Sequence, residues 1–423
     1  MAKGSKKSKK GQKPKVNHRQ QQRQKEKVEK QEIAQKQGRQ ACADNELNLH
    51  LWAFDTWFFR ESRPHDAAGA SELSSLFPPP IRTLAGALRT YMGDAMGINW
   101  KTMQCNDSDF DFEKCLGNAE HLGELKLTGP WVNYNGQRLY PAPAYLMQKE
   151  QDIKRLVIGQ AVRCDLGTVR LPQMSEGCVG YKNLEQQWIT GSGMRACLEG
   201  NTPKTYEIKT LADLLSYEPR LGIARDNQQR KVIDGKLYQT QHIRLQDEVS
   251  IELNVQQLEA ELMENLNQSE QVSIRLGGEG RIAHLDIENE REAFPFSTLK
   301  QPTFCIHFIS PADFAGEMFP KNFKEQQVDG ETVWRGELKG IGFDIVAAVI
   351  GKAHREGGWD MKNHQPRPVK SYSPAGSTWF CRLTDKEDIT KLNELLHGQC
   401  IGLDTAYGRG HILLGQWSDT DNK

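Results

Sequence analysis

The sequence predicts an α+β protein, a folded body with a strand-then-helix opening and a β-α-β close, behind a basic N-terminal arm. Leu47, Leu49, Leu51 and Ala53 alternate with Asn48, His50 and Trp52, the period of a strand with one buried face. Leu84, Leu88, Tyr91 and Met92 then share one side of a helix, as the 3.6-residue period requires. Near the far end, 377–383 reads as a strand, 386–397 as a helix and 411–417 as a strand. That closing order is of the ferredoxin-like type.

Each element follows from its residues. Residues 1–40 hold 14 Lys and Arg against Glu26, Glu29 and Glu32, a balance of +11. Almost nothing in this arm is apolar, so it has no face to bury and is expected to be disordered, or a transient helix over about 16–37. It suits either a phosphate-binding arm or a solubilising tail. The remaining 383 residues carry 41 basic and 52 acidic side chains, a balance of −11. A basic arm on an acidic body is a frequent layout in proteins that meet nucleic acid or an acidic partner.

The first strand leads into a loop with Arg60, Arg63 and His65, then into Pro78-Pro-Pro80. Prolines cannot continue a strand or sit inside a helix, so they form a rigid lead-in. Thr83 is expected as N-cap of the first helix, which runs to about Ala95. Residues 100–160 read as irregular, with turns at Gly129-Pro130 and Asn135-Gly136. A short helix is expected over 192–198. A fresh start near 205 brings two strands about Asp234-Gly235, an uncertain 249–266, and a strand at 304–309. Residues 340–350 are ambiguous, because Ile and Val favour a strand and the Ala pair favours a helix. The expected division is an arm at 1–45 and two domains at 46–204 and 205–423.

Nine cysteines are scattered without CxxC spacing, so neither a disulfide framework nor a zinc site is expected and a reducing cytoplasm fits. No apolar run is long enough for a transmembrane helix, and no membrane partner, metal or cofactor is expected. Walker, HExxH and GxSxG patterns are absent from the sequence. His50, His65, His242, His354 and His411 are dispersed, and an isolated histidine is usually structural. Tyr407 with His411 is the best candidate acid–base pair, should the chain cleave RNA.

Three constellations suit anions. Gly402, Gly408, Gly410 and Gly415 bracket Tyr407 and Arg409. Such glycines would let a sugar–phosphate backbone approach the main chain, with Arg409 as a fork on phosphate and Tyr407 as a stacking ring. Arg60, Arg63, His65, Arg82 and Arg89 surround the first loop and helix, where an anion site or solvated ion pairs would fit. Trp359 on a Gly-Gly turn, followed by Arg367, Lys370, Gly376 and Ser377, suits either a stacking platform or a loop packed on the sheet.

These pieces occur in a familiar order. Asp55-Thr-Trp-Phe-Phe-Arg-Glu-Ser-Arg-Pro-His65 resembles the Asp-x-Leu-Phe-Phe-Arg-Asp-Gly-Arg-Pro-Phe opening of the third-subunit family of the type III-B CRISPR Cmr complex. Ser75-Leu-Phe-Pro-Pro-Pro-Ile-Arg-Thr-Leu-Ala-Gly-Ala-Leu-Arg89 is similar to that family's lead into its first helix. Leu127-Thr-Gly-Pro-Trp131, Gly277-Gly-Glu-Gly280, Gly357-Gly-Trp-Asp360, Pro374-Ala-Gly-Ser377 and the closing loop continue the match. The resemblance spans about 47–417. It implies a RAMP protein of two tandem ferredoxin-like (RRM-like) domains that cuts nothing itself. It implies a subunit that holds the 5′ tag of the crRNA, docks on the large polymerase-like subunit and contacts the first backbone subunit. Carried onto this sequence, the expected RNA-binding residues are Arg60, Arg63, His65, Arg82, Thr83, Arg89, Trp359, Arg367, Lys370, Gly376, Ser377, Tyr407, Gly408, Arg409 and Gly410. A RAMP-type pre-crRNA endonuclease is the alternative. Glu61-Ser62 and His65 depart from the pattern, and the arm lies outside it.

Overall fold

A computed structural model describes residues 39–418 except 62–71, 103, 106–109, 227, 230 and 361–362. The arm expected to be disordered lies, up to residue 38, outside the described residues, as do Arg63 and His65.

In chain order the first layer contains β1 (Glu46–Ala53), α1 (Ile81–Ala95), β2 (Lys126–Tyr134), β3 (Gln137–Pro141), β4 (Trp188–Thr190), α2 (Gly191–Leu198), β5 (Ile208–Lys209), β6 (Val249–Gln256), α3 (Ala260–Gln268), β7 (Ser273–Arg275) and β8 (Ile282–Glu288). Its strands form one eight-stranded sheet in the order β5-β4-β3-β2-β6-β1-β8-β7. The alternation in β1 has the expected effect. Leu47, Leu49 and Leu51 enter the core beneath α1 and α3, with Ile81, Leu84, Leu88, Met92, Leu262 and Leu266. Burying each such side chain contributes about 1.5–3 kcal/mol. The opposite face is also covered, and around β1 and β6 it carries polar side chains. Asn48, His50, Ser250, Glu252, Asn254 and Arg138 are all buried there.

The second layer contains β9 (Thr303–Phe308), β10 (Lys324–Val328), β11 (Glu331–Leu338), β12 (Ile341–Val349), β13 (Thr378–Leu383), α4 (Ile389–Leu396) and β14 (Ile412–Gln416). They form a six-stranded sheet in the order β10-β11-β12-β13-β9-β14. Both β13 and β14 run antiparallel to β9, which lies between them. The two ends of the β-α-β close are therefore parallel.

Several expectations change. The two sheets do not divide at 204/205, because β6 pairs with β1 on one side and β2 on the other, and β8 pairs with β1. Sequence adjacency hides this, since β1 and β6 are joined only through long-range pairing. Thr83 is not the helix N-cap. Pro80 takes that place, and its carbonyl accepts from the Thr83 and Leu84 N–H groups at 3.0 and 3.2 Å. Asp234-Gly235 lies inside a strand, Lys231–Leu245, whose hairpin with Leu215–Asp226 reverses between Asp226 and Lys231. The stretch 100–160 holds β2, β3 and four further strands among the described residues, Gln104–Cys105, Leu146–Lys149, Asp152–Arg155 and the start of Val157–Cys164. Residues 341–349 settle as a strand, because both faces of β12 are packed.

Candidate nucleic-acid interface

α1 carries Arg82 and Arg89 two turns apart, on the flank of its buried stripe. Past that flank runs the closing loop, where Asp404 adopts left-handed backbone (φ 55°, ψ 30°) before the single turn Thr405–Tyr407. The Arg82 guanidinium lies 3.2 Å from Asp404 Oδ2 and 4.6 Å above the centre of the Tyr407 ring. Lys370 joins from a third stretch of chain, its Nζ 3.4 Å from Asp404 Oδ2 and 3.5 Å from Asp313 Oδ2. Arg367 donates to the Ala119 carbonyl at 3.0 Å and pairs with Glu120 at 3.5 Å. Arg89 donates to the Asn118 carbonyl. Among the described residues no carboxylate reaches it, and burial, with Arg82 and Arg367 nearby, pulls its guanidinium below the ordinary value.

Arg82 and Arg89 from the first loop and helix, and Arg367 and Lys370 from the Trp359 constellation, thus meet in one seam, where Tyr407 and Asp404 of the closing loop join them. Trp359 stands beside it, half-exposed on a two-residue pairing with Pro366 and Asp360 opposite Gln365. Arg367 N–H donates to the Gly358 carbonyl, so the Trp359 turn and the Arg367 segment are one unit. Thr83 is exposed on the helix. Arg60 lies elsewhere, half-buried and bridged through its backbone to Ser75, and burial lowers its pKa.

The closing glycines serve the protein's own chain in this structure. A Cβ on Gly408 (φ 69°) would stand 2.8 Å from the Leu127 carbonyl oxygen, and one on Gly410 would run into the Ile401 carbonyl. Expected as an open cradle for phosphate, the loop is instead seated against β2. Arg409 is buried and pairs with Glu356, its guanidinium 4.2 Å above the Tyr372 ring. Burial pulls Arg409 down to about 10. Tyr407 is also buried and packs into the first core. Neither side chain faces solvent, because each found a partner far away in sequence. A Cβ on Gly376 would stand 2.6 Å from the Ala142 carbonyl oxygen, and Ser377 Oγ donates to Pro374 O at 2.7 Å.

The acid–base pair also fails to assemble. His411 is boxed by Trp131 and Phe294, with ring centres 5.9 and 4.7 Å away, and burial holds its pKa down to about 3. His354 is lowered to about 4 by burial, and His242 is held between Thr56 and Glu279. His50 contacts Ser250 and Asn48. Among the described residues no three His, Cys, Asp or Glu side chains gather as metal ligands. No helix among them is long and apolar enough to cross a membrane. Sequence reasoning missed Asp404, Asp313, Asn118 and Glu356. Only Asp404 left a trace there, as the one acidic residue inside the glycine-bearing loop.

The family model described as CRISPR-associated protein (Cas_Cmr3) matches residues 49–417. The chain belongs to this family. As a Cmr3-family member it is a Cmr-type CRISPR-associated subunit. Among solved structures, it is similar to a chain of the type III-B Cmr-beta complex bound to cognate target RNA and AMPPnP. That match has a TM-score of 0.42 and 14% identity, covering 79% of this chain and 86% of the other. It is also similar to a chain of the Csm3–Csm4 subcomplex of a type III-A CRISPR-Cas interference complex. There the TM-score is 0.38 and the identity 12%, covering 80% of this chain and 94% of the other. No curated protein matches.

Proposed function

We propose that this Cmr3-family chain is a non-catalytic subunit of a type III-B RNA-guided effector complex. It binds the 5′ tag of the crRNA and docks the large polymerase-like subunit onto the backbone subunit. One observation carries the reading. Arg82, Arg89, Arg367 and Lys370 converge from separate stretches of chain beside the half-exposed Trp359. Cations with an adjacent flat ring suit a single-stranded phosphate backbone and its bases. The connectivity supports it as well. β1-α1-β2 and β6-α3-β8 place four strands in the order β8-β1-β6-β2, and β14-β9-β13-β12 repeats that order. We read both as ferredoxin-like halves of a RAMP protein.

The test is to purify the complex with Arg82→Ala, Arg89→Ala and Arg367→Ala combined, and to sequence its small RNAs. Wild-type complex yields guides sharing one 5′ tag, and the triple variant loses most of them. Wild-type RNA without a common 5′ sequence overturns the reading. So does metal-free cleavage of repeat RNA by the isolated chain.

A further inference from the structure

We infer that Asp404 occupies the place in the seam that a phosphate would take, and acts as an internal counter-anion that the RNA backbone displaces. The inference rests on the reading of the seam as RNA-facing. Two observations carry it. The single oxygen Oδ2 lies within ion-pair reach of both Arg82 (3.2 Å) and Lys370 (3.4 Å), cations from different segments. The carboxylate is also held there by left-handed backbone at a non-glycine residue, a conformation that Asp and Asn tolerate because the short polar side chain bonds locally.

The arrangement has a chemical consequence. Without Asp404, Arg82 and Arg89 on α1 would face Arg367 and Lys370 with few carboxylates among them. Among the described residues Glu120 pairs with Arg367, and the buried Asp313 pairs with Lys370. The carboxylate lowers that self-repulsion and holds Arg82 in place over the Tyr407 ring. A phosphate entering the seam must take Arg82 and Lys370 away from it. Weak anions are thereby turned away, and a polyanion that meets Arg89, Arg367 and the released pair together is accepted. Asp404 is thus a positioning and selectivity residue that opposes binding.

Asp404→Asn removes the charge and keeps both the shape and the left-handed backbone. Asp404→Gly keeps that backbone too. Binding of the full-length chain to a labelled single-stranded oligouridylate is measured by anisotropy across a salt series. Both variants should bind about two- to fivefold more tightly at low salt, the size of one half-exposed ion pair. The slope of log K against log salt should steepen by about 0.7, since a freed cation now releases a counterion on binding. Glu124→Gln makes the same change of charge at an exposed residue that pairs with Lys114, and should leave both readings near wild type. Unchanged or weaker binding by the Asp404 variants overturns the inference, as does equal tightening by Glu124→Gln. If Arg82→Ala with Lys370→Ala weakens binding while the Asp404 variants do nothing, only Asp404's role falls. If that pair leaves binding unchanged, the RNA-facing seam falls first and the inference with it.

Discussion

Arg138 and Glu252 form an ion pair in the covered polar layer behind the first sheet, with Arg138 Nε 3.1 Å from Glu252 Oε2 and both side chains sealed from solvent. The guanidinium lies 4.1 and 4.9 Å from the Trp131 and Phe294 ring centres and donates to the Glu292 carbonyl at 3.1 Å. The pair therefore joins β3 and β6 to the segment leading into the second sheet. Removing one partner leaves the other charged and buried. Arg138→Met should cost about 3–5 kcal/mol of stability, and Arg138→Met with Glu252→Met should recover much of that loss. Urea unfolding of the three proteins decides this, and equal midpoints for single and double variants would contradict it.

The buried histidines set a pH dependence of definite sign. His307 and His411 are held to about 3, and His354 and His397 to about 4, all chiefly by burial, against an ordinary 6.5. Below pH 6.5 the unfolded chain takes up protons that the folded chain refuses. Stability is therefore fully present above that pH and falls as pH drops toward 3–4. At pH 5 each imidazole accounts for about 2 kcal/mol. The melting temperature should fall between pH 7 and pH 5, and His411→Phe, packed by Trp131 and Phe294, should shrink that fall. An identical fall in the variant would show that His411 does not contribute.

What could be read in the sequence was what is local. The β1 alternation and the α1 stripe needed only neighbouring residues, and both appear where expected. The pairing of β6 between β1 and β2 did not show, because about two hundred residues separate partners such as Leu49 and Leu253. The strand β2 was hidden by its own Gly129-Pro130, a dipeptide that normally marks a turn. In the site, residue type pointed to Arg82, Arg89, Arg367 and Lys370, which do come together. The same reasoning took Arg409 for a surface fork, because nothing near it in the chain announces Glu356 as its buried partner.

Gly408 offers a test of how the closing loop is seated. It combines left-handed backbone with close approach to the Leu127 carbonyl and the Thr128 Cα. Gly408→Ala meets both obstacles and should cost about 1–3 kcal/mol. It should also loosen Asp404 from Arg82, since the loop that carries Asp404 can no longer lie against β2. Hydrogen exchange at Gly408 and Gly410, whose N–H groups donate to Thr405 O and Pro311 O, should speed up. Exchange unchanged from wild type would mean that the loop tolerates the methyl without moving.

The charge asymmetry of the chain bears on RNA affinity separately from the seam. The first 40 residues hold a +11 balance against −11 in the rest, and at their end Arg39–Ala41 pairs with Glu290–Glu292. Deleting residues 1–38 keeps that pairing and removes most of the arm's positive charge. Binding of single-stranded RNA should weaken at low salt and converge on wild type at high salt. The slope of log K against log salt should fall by about 0.7 for every phosphate that the arm no longer neutralises. A parallel shift at every salt would mean that the arm binds in a salt-independent way, and an unchanged slope that it is a solubilising tail. Combined with Arg82→Ala, the deletion separates the two contributions. Changes that add in log K at low salt would show arm and seam taking different phosphates of the same strand.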